Sequence, residues 1–147
     1  MKENIIKNKS FTFSLRIIKL YKYLVEIKKE YVLSKQILRS GTSIGALVYE
    51  SEHAESKADF IHKLSISLKE ANETDYWLEL LFQSEYINNS EYDSIKIDIQ
   101  ELLKLLVSII VYSHQSVPVI LIKVYHPSLG KIDTHPLTKS TPILSQN

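Results

Sequence analysis

Two carboxylates one helical turn apart, Glu70 and Glu73, come nearest in this chain to a chemical constellation. Paired acids can share acid–base work or hold a metal ion. Lys63 falls on the same helical face. A carboxylate-bridged metal bundle, however, draws acids from several helices and uses repeated Glu-x-x-His pairs. Glu50 and His53 stand at that spacing, and no second copy occurs elsewhere. The expected role of these acids is a salt-bridge network with Arg39 or Lys63. Such a network sets register between helices or subunits more than it adds stability. The histidines (His53, His62, His114, His126 and His135) are scattered and form no ligand pattern. Ser40 and Ser43 have no readable histidine–acid partners and sit within helical sequence as packing residues. Trp77 beside Tyr76 reads as an interface or core anchor. No catalytic group, metal or cofactor is expected.

The elements that must position these residues are legible from proline and from periodicity. All four prolines, Pro118, Pro127, Pro136 and Pro142, lie in the last thirty or so residues of a chain of 147. Proline breaks helix interiors, so a boundary falls near His114–Ser116, and the chain before it can be almost wholly helical. A first helix is expected over Ser10–Lys29, after an N-terminal arm at 1–9. Phe13, Ile17, Leu20, Leu24 and Ile27 form its core stripe. Ile18, Tyr21 and Val25 widen that stripe, by a second packing surface or by thick core cover. Arg16, Lys19, Lys22 and Lys29 take the other side.

A second helix, about Leu33–Ser51, turns Leu33, Ile37, Ile44, Leu47 and Val48 inward. It carries a small-residue patch of Ser40, Gly41, Ser43, Gly45 and Ala46. A helical glycine costs roughly 1 kcal/mol against alanine, so two within five residues imply close helix approach. A third helix starts near Ser56, with Ser56 as N-cap and Asp59 in the first turn. Its main face is Phe60, Ile61, Leu64, Leu68, Ala71, Leu78 and Phe82, with Ile66, Trp77 and Leu80 roughly opposite. Asn88-Asn89-Ser90 reads as a turn. A fourth helix, about Glu91–Ser113, buries Ile95, Ile99, Leu102, Leu106, Ile109 and Ile110, widened by Leu103, Leu105 and Val107. Four such helices joined by short turns predict an all-α, antiparallel up-down-up-down bundle over 10–115. In the tail, 116–147, Val117–Tyr125 has strand propensity. Residues from Pro127 onward read as disordered coil.

Composition sets the outer bounds. Hydrophobic residues at 44% and charged residues at 24% are ordinary for one globular domain. The absence of cysteine excludes disulfides, thiolate zinc sites and thiol nucleophiles, and suits a reducing cytoplasm. No signal peptide is read at the N-terminus. The run LLKLLVSIIVY is broken by Lys104 and falls short of the roughly 20 residues a membrane span needs. A soluble, cytoplasmic protein is expected. The net charge of +1 conceals segregation: +7 over residues 1–40, −8 over 41–115 and +2 beyond. The basic first helix either neutralises acidic neighbours or presents Arg16, Lys19, Lys22 and Lys29 to a nucleic acid.

Within Gln36–Leu81, RSGTSIGA (Arg39–Ala46) and SKADFIHKLSISLKEANET-YWL (Ser56–Leu78, omitting Asp75) resemble a known signature. It is that of the four-helix bundle proteins named after 23S rRNA intervening sequences. The resemblance covers about residues 10–114. It marks Arg39, Glu50, Lys63, Glu70, Glu73 and Trp77 as characteristic positions. It implies a barrel-like homopentamer and supplies no catalytic residues. A more distant relative is the accessory variability determinant of diversity-generating retroelements, thought to bind nucleic acid and a reverse transcriptase. This chain departs from the pattern at Leu47, where the family usually has asparagine, and in the tail from Ser116. The expected function is therefore a non-enzymatic oligomeric scaffold or adaptor. The alternative is a nucleic-acid-binding accessory protein that uses the basic face of the first helix.

Overall fold

The computed structural model describes residues 4–115, and four α-helices account for nearly all of them. They are α1 (Ile5–Glu26), α2 (Leu33–Ser51), α3 (Lys57–Gln83) and α4 (Asn89–Ser113). The strand and coil expected beyond Ser116 lie outside the described residues. Among the described residues, no helix is long and apolar enough to cross a membrane.

Each helix begins where a polar side chain satisfies its free N–H groups. Asn4 accepts from the Lys7 amide at 3.2 Å, which starts α1 at Ile5, five residues before Ser10. Ser10 is an interior residue, its hydroxyl donating to the Lys7 carbonyl at 3.1 Å. Ser56 caps α3 as expected, accepting from the Asp59 amide at 3.0 Å. Asn88 is more than a turn residue: with Glu91 it forms a reciprocal capping box, each side chain accepting from the other's amide at 2.9 Å. α2 is capped differently. The buried Glu30 carboxylate accepts from the amides of Val32, Leu33 and Ser34 at 3.0, 2.9 and 2.6 Å.

Buried positions repeat in steps of four and three along α1 (Ile6, Ser10, Phe13, Ile17, Leu20, Leu24) and α4 (Ile95, Ile99, Leu102, Leu106, Ile109, Ser113). In α3 they are Phe60, Leu64, Ser67, Ala71, Thr74, Leu78 and Leu81. This is the seam of a left-handed bundle. It corrects several expectations: Leu33, Ile61, Leu68 and Ile110 flank the seam half-buried. Ile27 is 66% exposed, because α1 ends at Glu26 and the chain turns away through Lys29 at φ 55°. Leu81 takes the core position expected for Phe82, which is half-buried and stacks on Tyr92 at 4.2 Å. Leu47 is also only half-buried, beside the seam residues Ile44 and Val48.

Each helix packs on the next, and α4 closes the ring against α1. Ion pairs fix the directions. Lys7 near the start of α1 meets Glu52 just past the end of α2, at 2.7 Å. Arg39 pairs with Glu70 and Glu73, whereas Glu50, further along α2, pairs with the earlier Lys63. Glu79 and Asp75 of α3 meet Tyr92 and Lys96 of α4 in reverse order. Neighbouring helices therefore run antiparallel, up-down-up-down.

Candidate functional site

The characteristic residues gather along the α2–α3 seam. Arg39 on α2 reaches across to α3. One guanidinium nitrogen donates to the Glu70 carboxylate at 3.2 and 3.4 Å, and the other donates to Glu73. Glu73 also accepts from the indole N–H of Trp77, one turn on, at 3.1 Å. Trp77 is half-buried and meets Tyr76 edge-on, with ring centroids 5.1 Å apart. Lower on the same seam, Lys63 lies 3.6 Å from Glu50 and 3.7 Å from Asp59.

Beneath these charges the α2–α3 seam is lined with hydroxyls. Thr74 donates to the Glu70 carbonyl at 2.7 Å, and its hydroxyl oxygen lies 2.9 Å from that of Ser40, in hydrogen-bond contact. Ser67 donates to the Ile44 carbonyl on α2 at 3.0 Å. Ser43 turns back on its own helix, donating to the Arg39 carbonyl at 2.7 Å. Gly41 and Gly45 serve the other side of α2. A Cβ on Gly41 would lie 2.9 Å from both Cγ atoms of Ile17, and one on Gly45 would lie 3.2 Å from the Ser10 carbonyl oxygen. The small-residue patch thus lets α1 and α2 approach closely.

This geometry decides what Glu70 and Glu73 can do. The Arg39 hydrogen bond, then that of Trp77, holds the Glu73 carboxyl below the ordinary glutamate range. Arg39 is raised in turn, chiefly by its bond to Glu73 and against the effect of burial. A carboxylate kept ionised only accepts hydrogen bonds, so Glu73 is not set to deliver a proton near neutral pH. Glu50 and His53 are both exposed. Among the described residues, no three His, Asp or Glu side chains gather where they could hold a metal ion.

The basic residues of α1 are divided. Arg16 is committed to α4: it pairs with Asp98, and donates to the Ser94 carbonyl and hydroxyl at 3.1 and 2.6 Å. Lys9 pairs with Glu101 at 2.8 Å. Lys29 lies beyond the helix, in the left-handed turn. Lys19 and Lys22 remain exposed on the helix. The four cations do not form one stripe.

Two polar clusters went unread in the sequence. One is the Glu30 cap, whose only signal is an acid shortly before a helix that lacks a Ser, Thr, Asp or Asn at its N-cap, Val32. The other joins Tyr92 to Glu79 and Lys96 to Asp75 across α3 and α4. The shared hydrogen bond raises the Tyr92 hydroxyl and lowers Glu79. No sequence spacing marks it, because its members come from two helices.

The family model described as 23S rRNA-intervening sequence protein matches residues 2–108. A crystal structure from Bacteroides thetaiotaomicron VPI-5482, of a protein with unknown function from the S23 ribosomal protein family, is similar at 62% sequence identity. The match covers 71% of this chain and 97% of that one, with a TM-score of 0.71. No curated protein matches. With the four-helix ring and the α2–α3 seam carrying the signature residues, this chain belongs to the 23S rRNA-intervening sequence protein family.

Proposed function

We propose that this protein is a non-enzymatic helical-bundle scaffold or adaptor that works as a homo-oligomer, a pentamer by its family resemblance. One observation carries the reading. The outer face of α4 keeps Ile97, Val107 and Val111 at 65%, 45% and 55% exposure. At 100° per residue these three fall within about 80° of the helix circumference. Apolar residues aligned in this way mark a contact surface more than a solvated one. Asp98 and Glu101, on the edge towards α1, are paired within the subunit with Arg16 and Lys9, and the exposed Gln100 and Lys104 form the polar part of the same arc. The seam chemistry points the same way: Arg39 is shared between Glu70 and Glu73 and joins α2 to α3, as structural groups do. Light scattering on the purified full chain at tens of micromolar tests the proposal. A multiple of the subunit mass is expected, and a strict monomer overturns it.

A further inference from the structure

An apolar groove of about 390 Å³ runs between α1 and α2 on the outside of the bundle. Gly45 and Ala46 give it a low floor, and Phe11, Ile18 and Tyr49 form its walls. Phe11 is 63% exposed and Tyr49 56%, although they flank one hollow. Lys7 closes one end, its ammonium 4.3 Å from the Tyr49 ring centroid and paired with Glu52. A contiguous apolar hollow of this kind is rarely left to water.

We propose that the groove is the docking site of this chain's own segment Val117–Tyr125. Seven of the nine residues in VPVILIKVY are apolar. The segment lies beyond the family match, which ends at residue 108, so the bundle pattern gives it no other place. The topology delivers it to the right end. α4 runs antiparallel to α1 and ends at Ser113, beside the start of α1 and the end of α2. The groove occupies the half of α1 and α2 nearest that end, from Lys7 to Ile18 and from Thr42 to Tyr49. The apolar run begins only two residues after Gln115, the last described residue. Nine residues reach at most about 30 Å. Crossing one helix takes about 10 Å and following the groove about 16 Å, so the segment can do both. The inference concerns a different face from the α4 surface of the proposed oligomer.

The chain has no cysteine, so a disulfide trap is clean. Ala46→Cys and Ile120→Cys are placed together in the full chain and oxidised, using a mixture of isotopically light and heavy protein. The expected product is a disulfide within one chain, light to light and heavy to heavy. A light–heavy 46–120 bond overturns the proposal in favour of exchange between copies, and a 46–46 bond does so in favour of groove-to-groove contact. No bond also overturns it. As a second readout, Ile120→Asp with Ile122→Asp is expected to raise binding of an apolar fluorescent dye several-fold at unchanged helicity. Unchanged dye binding counts against the proposal. Light scattering, read separately, reports the oligomer, so either idea can fail without the other.

Discussion

Glu30 shows how much one side chain can hold in this fold. Its carboxylate serves three amides at the start of α2, and its own carbonyl accepts from the Ser34 hydroxyl at 2.9 Å. Burial alone would push the Glu30 carboxyl up. The three amide hydrogen bonds outweigh burial and hold it below the ordinary value. A carboxyl depressed in the folded state contributes stability above its unfolded pKa, about 4.3, and that stability is lost as pH falls through the folded value. Urea unfolding is therefore expected to weaken below about pH 4.3, with a shallower acid loss in Glu30→Gln. At neutral pH, Glu30→Ala is expected to cost about 2 kcal/mol, by removing a cap and leaving the buried Ser34 amide unpaired. Arg39→Ala should cost less than about 1 kcal/mol, because the guanidinium is half exposed and its pairs are screened. A loss above about 3 kcal/mol in urea unfolding would mean that the cluster behaves as a buried ion pair.

Among the elements, the α1–α2 contact is the most constrained. Gly41 faces Ile17 at a distance no Cβ tolerates, and the contacting atoms are both Cγ branches of Ile17, so no single rotation clears them. Gly41→Ala is expected to destabilise by about 2 kcal/mol despite its better helix propensity. In an Ile17→Ala background both Cγ contacts are removed and only the Cβ contact at 3.3 Å remains, so the same change should become close to neutral, within about 1 kcal/mol. Urea unfolding of the four proteins in the cycle checks both numbers. The seam also explains which residues could be read in advance. The apolar stripe of α1 and the Ser56–Asp59 start of α3 were legible because they follow local rules. Ser67 and Thr74 carry no apolar signal of a core position, and these hydroxyls are buried only by bonding to α2 and to their own helix. Without them the alternation of fours and threes in α3 is lost, and Phe82 displaces Leu81.

For the whole molecule, part of the charge segregation along the chain is paired within the bundle, while Lys19 and Lys22 stay exposed. The basic start of the chain meets the acids of later helices through Lys7–Glu52, Lys9–Glu101 and Arg16–Asp98. Apolar surface remains on the α4 outer face. Val107→Glu with Val111→Glu is expected to reduce the mass seen by light scattering towards that of the subunit. Helicity should change little, because neither side chain is in the core. An unchanged mass would move the contact surface off α4.

The sequence by itself determined the number of helices, their approximate ends, the family and the close approach implied by Gly41 and Gly45. These follow from periodicity, capping residues and the absence of proline before Pro118, all of which act within a few residues along the chain. Only the tertiary structure decided that Arg16 belongs to α4, that Lys29 stands in a turn and that Glu73 is held ionised between Arg39 and Trp77. The physical reason is range. A helix is specified by neighbours three or four residues away, whereas the partners of a charge are set by which helix faces lie against each other.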